Sequence, residues 1–202
     1  MDSQRMVQFL FALLVLVLGF LCQALSNEGI CQTKKTCPEY FLIDTPNKDF
    51  ETRLYVETLW ITTPIKSKQV FEVMAAHNRL KHFCDRQTAQ GYPMPDGWPV
   101  LITVVKVADT MNANMSWFVP NKTEMAKTSD TDVWLQTRPR GYVYVRAFGG
   151  MATFEASKEN VEKLQDHLTK AGKSFVANHF SGATYNSSWA LNKYNEIWIT
   201  AP

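Results

Sequence analysis

The chain has 202 residues, and its 21 basic side chains nearly balance its 19 acidic ones. A formal net charge of +2 provides no long-range field, which argues against nucleic acid or an anionic membrane surface as a partner. Hydrophobic residues make up 46% of the chain, enough for a real core and, at this length, for one domain.

A targeting segment is predicted at the N-terminus. Arg5 precedes an uncharged apolar run over residues 6–21, and small side chains follow at Ala24 and Ser26. This pattern is typical of a signal peptide, residues 1–26, that is cleaved after Ser26 to give a secreted, extracellular protein. The alternative is a membrane anchor, but the run is shorter than the roughly 20 residues that a bilayer span needs. We therefore expect no membrane association after signal removal.

The mature chain keeps three cysteines, because Cys22 leaves with the signal. Cys31 and Cys37 are predicted to form a disulfide bond, since their spacing closes a small loop in an oxidising compartment and would pin an N-terminal arm over residues 27–49. Cys84 is then either a small buried hydrophobe or a reactive thiol. Three Asn-X-Ser/Thr sequons, at Asn114, Asn121 and Asn186, predict a glycoprotein.

The first half of the domain begins with a predicted strand over residues 51–63, rich in aromatic and β-branched side chains. Its apolar alternation changes phase midway, which indicates a bulge or a strand that serves two surfaces. Pro64 is predicted to end it. A helix follows over residues 67–84, with apolar residues at spacings of three and four and Ser67 as its N-cap. Strands are then predicted at 100–107 and 115–119.

The second half repeats this order. A strand at 142–148 precedes a helix at 154–171, which Gly172 caps, and extended segments at 175–180 and 196–200 complete the chain. The predicted elements form two successive βαββ units, which indicates an α+β fold. Two such units bury their sheets together by curling into a sandwich or barrel with the helices outside. Grooves between the helices and the curved sheet are the expected place for a ligand.

Four short stretches resemble a known family. They are FVP at 118–120, SDTDVWL at 129–135, VYVRAFGG at 143–150 and NEIW at 195–198. Together they resemble the SOUL heme-binding family, nearest to its heme-binding protein 2 type, and indicate a SOUL-like domain over residues 50–202. The resemblance implies a distorted antiparallel β-barrel of two βαββ pseudo-repeats with two flanking helices. It also implies that heme or a related tetrapyrrole binds in a shallow apolar groove beside the first helix.

The first predicted helix offers the candidate heme-binding residues. Heme needs an apolar slot, a cation for its propionates and, for tight iron binding, a side chain such as histidine. His77 shares a face with Met74 and Leu80 and could be the axial iron ligand; the alternative is that it only borders the core. The candidate set is Val70, Met74, His77, Arg79, Leu80 and Lys81, with Arg79 and Lys81 as propionate partners. His82 lies about 140° round the helix from His77, too far to share a metal.

No motif for catalysis accompanies these residues, since the chain lacks GxSxG, HExxH and any Walker phosphate loop. The first hypothesis is therefore a secreted, non-enzymatic protein that binds heme or another porphyrin. The second is a protein-interaction or apolar-ligand module on the same fold that has lost heme binding and has a protein as its possible partner. It is motivated by residues 79–84 and 92–100, where the chain departs from the family's pattern.

Overall fold

A computed structural model describes residues 37–67, 69–94, 97–108, 110–127, 130–185 and 194–202. The predicted signal peptide, Cys31 and the sequon at Asn186 lie outside these residues. The elements in the described ranges are β1 (Tyr40–Asn47), β2 (Phe50–Tyr55), β3 (Thr58–Ile65), α1 (Val70–Ala89), β4 (Val100–Val107), β5 (Thr110–Val119), β6 (Trp134–Arg138), β7 (Gly141–Gly149), α2 (Phe154–Lys170), β8 (His179–Thr184) and β9 (Tyr194–Thr200). Within these ranges neither helix is long and apolar enough to span a bilayer.

The strands form one antiparallel sheet in the order β1-β2-β7-β9-β8-β4-β5-β3-β6. The units β3-α1-β4-β5 and β7-α2-β8-β9 take mirrored places in this order, on either side of the central β4/β8 pair. This arrangement confirms the α+β class and the two βαββ units. The predicted barrel is not confirmed, because β1 and β6 stand at the two edges of the sheet and do not pair in the described part of the chain.

The predicted strand at 51–63 is two strands, β2 and β3, separated by Val56 and Glu57. The change of phase marks a break between them, since β2 pairs with β7 while β3 pairs with β5 and β6. Pro64 does not end β3. Pairing with β6 stops at Thr62, so β3 has an unpaired side at Pro64, where proline is tolerated. The strand β1 lies in the stretch 27–49 that was predicted as an arm, and it pairs with β2.

The first helix begins at Val70, and Gln69 occupies its N-cap position without a side-chain cap. Ser67 lies before that position, where its hydroxyl accepts a hydrogen bond from the Gln69 N–H at 3.4 Å. The second helix follows its prediction closely. The Thr153 hydroxyl caps it, and Gly172 follows its end with a left-handed φ of +65°. Strand β8 lies four residues later than the extended segment predicted at 175–180.

Strand register divides the sheet into two faces. Ile102 of β4 lies opposite Gly182 of β8, which in turn lies opposite Ile197 of β9. Ile102 packs on the hydrophobic cluster under α1, and Ile197 belongs to the cluster under α2. Residues directly opposite one another in an antiparallel sheet point to the same side. Both helices therefore cover one face, which we call the helix face.

The opposite face, here called the inner face, is buried although no described helix covers it. Trp60 and Leu101 have no exposed surface there. Arg138 of β6 donates a hydrogen bond to Thr103 of β4, although β3 and β5 lie between those strands. Neighbouring strands are about 4.8 Å apart, so this bond requires a strongly curved sheet. The sheet thus encloses its inner face by curvature.

A buried carboxylate organises part of the inner face. Glu196 is 1% exposed and forms an ion pair with Arg53 at 2.9 Å. Its oxygens also accept hydrogen bonds from the Tyr185 and Tyr194 hydroxyls and the Trp198 indole N–H, at 2.6–2.8 Å. Burial raises the pKa of Tyr185 well above its usual range, so this phenol remains a donor. Arg53 compensates the negative charge of Glu196, and the three donors satisfy its oxygens, which indicates a structural role for this carboxylate.

Candidate functional site

The helix face has an open strip between its two helices. Because α1 packs on β3 and β5, and α2 on β7 and β9, the central strands β4 and β8 lie between them. The residues of this strip are apolar and half-buried: Ile102, Val104, Phe180 and Gly182. Their neighbours along the same strands point to the inner face and are buried, apart from partly exposed His179 and Val105. We call this strip, together with the flank of α1 beside it, the central groove.

Gly182 forms part of the floor of the central groove. A Cβ atom placed on it would meet no other atom within 4 Å, so the space above it is open. Its backbone does not adopt the left-handed conformation that favours glycine. Glycine inside a strand weakens the strand and often marks the close approach of a ligand. The missing side chain therefore leaves a flat apolar surface near the middle of the groove.

His77 stands on the α1 side of the central groove. Its exposed imidazole contacts the Trp117 indole, with 5.1 Å between the ring centroids and 61° between the planes. Trp117 lies on β5 opposite Val100 of β4, so His77 occupies the flank of α1 that faces the central strands. The Trp117 indole N–H is buried and has no acceptor in the described part of the chain. Packing therefore holds this indole, and the indole supports the imidazole.

Three further residues of the predicted set lie on the solvent side of α1. Val70 is 79% exposed and Met74 is 64% exposed. Lys81 is also exposed and forms an ion pair with Asp85 one turn along the helix, at 2.8 Å. On a helical wheel all three lie within about 60° of His77. They extend the α1 wall of the groove towards solvent.

Leu80 and Arg79, also in the predicted set, are placed away from the central groove. Leu80 has no exposed surface and packs in the core beneath α1. Arg79 donates to the Thr63 hydroxyl and to the Glu72 carboxylate, each at 2.9 Å. The bond to Thr63 fastens the opposite flank of α1 to β3, and the hydrogen bond from Arg79 to Glu72, within α1, lowers the pKa of Glu72. Arg79 is thus engaged within the protein.

The groove combines an apolar floor, one imidazole on its wall and one ammonium group at its rim. An imidazole can ligate a heme iron, and an ammonium group can pair with a propionate. These residues fit a planar apolar molecule with one coordinating position and a peripheral carboxylate. No group of three His, Cys, Asp or Glu side chains that could hold a metal ion occurs in the described ranges.

The floor of the groove is not among the features predicted from the sequence. Gly182 belongs to β8 but lies beyond the extended segment predicted at 175–180, and Trp117 is not among the residues predicted for the site. Two signals were available: a glycine between β-forming residues at 179–184, and the apolar run at 100–107. Neither signal says which strands become neighbours, so the sequence could not bring β4 and β8 together.

The predicted modification sites differ in their surroundings. Asn121 is exposed in the turn after β5, beside Lys122 with a left-handed φ of +67°. Asn114 is half-buried within β5, which is paired on both sides. Cys84 is half-buried against the cluster under α1. The pairing of Cys31 with Cys37 stays a prediction, because Cys31 lies outside the described residues.

These features place the chain among α+β proteins with two βαββ units and an open apolar groove between two helices. The chain belongs to the SOUL heme-binding protein family, whose model matches residues 35–200. It is similar to heme-binding protein 2 of Mus musculus, with 23% identity over 164 residues, which cover 78% of this chain and 80% of that protein. Heme-binding protein 2 of Homo sapiens is 22% identical over 157 residues, which cover 74% and 77% of the two chains.

Solved structures share the fold at much lower identity. The C-terminal domain of EcmrR superposes with a TM-score of 0.53 and 10% identity, over 76% of this chain and 96% of that domain. A hydrolase encoded by lin2189 from Listeria innocua gives a TM-score of 0.50 and 8% identity, over 88% of this chain and 98% of that protein. At these identities the likeness concerns the fold alone.

Proposed function

We propose that this protein binds heme or a related tetrapyrrole in the central groove, with the macrocycle lying on the floor around Gly182 and beside α1. The observation that supports this most strongly is the open space above Gly182, because a planar apolar ligand needs a floor without protruding side chains. Membership of a heme-binding family agrees with the proposal, as do the names of the two mammalian relatives.

In this proposal His77 is the axial ligand of the iron. Its contact with Trp117 keeps the imidazole on the groove side of α1. Val70 and Met74 provide exposed apolar contacts next to it, where burial against a ligand would be favourable. Lys81 is the propionate partner on α1, because its ion pair with Asp85 is solvent-exposed and can exchange for a propionate, whereas Arg79 is held by Glu72 in a mostly buried pair on the other flank.

We further propose that the protein is a secreted carrier and not an enzyme. The apolar run at 6–21 with small residues at Ala24 and Ser26 supports export. The exposed position of Asn121 is compatible with a glycan added during export. The groove supports a carrier because its floor is apolar, with a single imidazole on its wall.

Titration of residues 27–202 with hemin tests the proposal. We expect a saturable shift of the Soret band with one hemin per chain. A buffer blank and bovine casein, as a protein that binds hemin only nonspecifically, are the controls. Equilibrium dialysis gives a second, spectrum-independent measure of binding. A titration with no Soret shift and no saturable uptake in dialysis would defeat the proposal.

A second candidate is an interaction module on the same fold that has lost heme binding. Two observations favour it: Arg79 is engaged within the protein, and the edge strand β1 exposes Phe41, Leu42 and Ile43, each at least half to the solvent. An exposed apolar sheet edge is a common place for another chain to add a strand. Specific capture of a protein partner by heme-free material that takes up no hemin would favour this candidate. Tight hemin binding would defeat it.

A further inference from the structure

Arg138 differs from the other buried or partly buried arginines in the described part of the chain. Three of them form ion pairs with carboxylates: Arg53 with Glu196 at 2.9 Å, Arg79 with Glu72 at 2.9 Å, and Arg146 with Asp49 at 3.9 Å. Arg138, the last residue of β6, forms no ion pair with a described Asp or Glu. Burial is the cause of its lowered pKa. Its positive charge is therefore not compensated by the part of the protein that the structure describes.

The Arg138 guanidinium is nevertheless held in a fixed place on the inner face. Its Nη2 donates to the Thr103 hydroxyl at 2.7 Å, and Thr103 in turn is hydrogen-bonded to the Ser181 hydroxyl at 2.8 Å. The guanidinium carbon lies 5.3 Å from the centre of the Trp60 ring, a cation–π contact. Its Nε is buried and has no acceptor among the described residues. The guanidinium is thus held in place, and its Nε–H donor is not used by any described residue.

An uncompensated charge in this position is costly. Burial lowers the pKa of Arg138 to about 10, because no carboxylate among the described residues offsets the loss of hydration, yet the group stays protonated at neutral pH. Burial, and then the charge of Arg138, lower the pKa of the neighbouring His179. Buried charges in proteins are normally paired, and removing the partner of such a pair is strongly destabilising. Arg138 is therefore placed like the cationic member of a buried ion pair, with no anionic partner among the described residues.

We propose that Arg138 binds a small carboxylate at the open end of the inner face. Arg138 and His179 are only half-buried, whereas Thr103 and Ser181 beside them are buried, so the end of the inner face near the guanidinium borders on solvent. The planar fork of a guanidinium matches a carboxylate and donates two parallel hydrogen bonds to it. One guanidinium balances one negative charge, which favours a carboxylate over a doubly charged phosphate.

This site is independent of the proposed heme groove. Thr103 and Ser181 point to the inner face, while their neighbours Ile102 and Gly182 point to the helix face. The curved sheet therefore separates Arg138 from the central groove. Hemin binding and carboxylate binding are separate measurements, and the failure of one leaves the other unaffected.

Acetate is the probe for a nuclear magnetic resonance titration of the 15N-labelled protein at constant ionic strength. We expect acetate to shift the Arg138 Nε–Hε signal and the His179 imidazole signals saturably, while acetamide, its neutral counterpart, shifts neither. Acetate should also raise the pKa of His179, because the bound anion offsets the field of Arg138.

Two variants and one control complete the test. Arg138→Gln should abolish the saturable His179 response, and Arg138→Lys, which keeps the charge but loses the fork, should weaken acetate binding by about tenfold or more. Arg146→Gln removes a carboxylate-paired arginine and should leave the response intact. An equal His179 response in Arg138→Gln, or a wild-type response to phosphate but not to acetate, would overturn the proposal. If Arg138→Gln does not fold, the wild-type comparison of acetate with acetamide decides alone: no saturable acetate response rejects the site.

Discussion

Gly182 lies directly opposite Ile102 in the pairing of β8 with β4, at the centre of the sheet and on the face that carries both helices. This pair joins the two βαββ units. Each helix packs mainly on two strands of its own unit, β3 and β5 for α1 and β7 and β9 for α2, so the joining strands β4 and β8 lie between the two helices and border both hydrophobic clusters. The central groove is therefore a consequence of the repeated topology, and glycine keeps its floor flat.

Replacing Gly182 with valine should block the groove without harming the fold. The new side chain enters open space, and its backbone needs no left-handed conformation, so the thermal midpoint should stay the same or rise. Hemin affinity should fall at least about tenfold, as expected when a contact surface is displaced. Gly141→Val is the matched control, because Gly141 lies in β7 and its Cβ would meet only Pro139 oxygen at 3.9 Å. Equal hemin affinity of Gly182→Val and wild type would contradict a ligand on this floor.

The iron spectrum should depend on His77 and not on His82. His77 contacts Trp117 on the groove side of α1, whereas His82 is exposed about 140° further round the helix. In His77→Ala we expect a changed Soret position and loss of the signature of imidazole ligation in electron paramagnetic resonance. His82→Ala should match wild type. An unchanged spectrum in His77→Ala would remove the axial role from this residue.

Removing the Glu196 charge should destabilise the fold strongly. Glu196→Gln removes the more deeply buried of the two carboxylates that pair with Arg53, at 2.9 Å, and leaves only Glu51 at 2.7 Å. Breaking a buried ion pair typically costs about 3–5 kcal/mol of the free energy of unfolding, and we expect a loss near the lower end because Glu51 stays paired. Urea denaturation at neutral pH measures this change. Glu162→Gln, which removes an exposed partner of Lys158, is the control and should leave the urea midpoint almost unchanged. Similar midpoints for the two variants would argue against a structural role of Glu196.

Stability should decrease on acidification because of His179. Burial, and then the field of Arg138, lower the pKa of His179 below its ordinary value of 6.5. The unfolded chain then binds the proton more readily than the folded protein, so the free energy of unfolding falls as the pH drops below about 6.5 and levels off below the folded-state pKa. Urea midpoints near pH 7.5 and near pH 5 should differ less in His179→Gln than in wild type. The same difference in both proteins would contradict the expectation.

Glycosylation should occur at Asn121 in preference to Asn114. Asn121 is exposed in a turn, whereas Asn114 is half-buried in a strand with partners on both sides. Expression through a secretory pathway and intact-mass measurement before and after glycosidase treatment test this expectation. Asn121→Gln should lower the mass by one glycan, and Asn114→Gln should not. A glycan found on Asn114 with Asn121 unmodified would refute the assignment.

Much of the fold could be predicted from the sequence. The helix predicted at 154–171 corresponds to α2, and its apolar residues at helical spacing, Val161, Leu164 and Leu168, are buried in the structure. The change of phase in residues 51–63 was also a real signal, although it marks a boundary between β2 and β3. Such features depend on local periodicity, which a single segment displays by itself.

The candidate site was harder to predict. Periodicity placed His77, Met74 and Leu80 on one face of a helix, but it could not show that Leu80 is buried while Met74 is mostly exposed. Burial depends on where the partner sheet lies. Arg79 was expected to meet a ligand, and it binds Thr63 and Glu72, because β3 packs under that flank of α1.

The sequence by itself determined the α+β class, the two βαββ units and the family likeness, because hydrophobic period and turn residues are local properties of the chain. The tertiary structure decided where a ligand can lie. Gly182 and Ile102 are 80 residues apart, and only the register of β8 against β4 brings them together. Tertiary structure also decides the contacts of the inner face. Arg138 of β6 reaches Thr103 of β4 only because the sheet curves across the two strands between them.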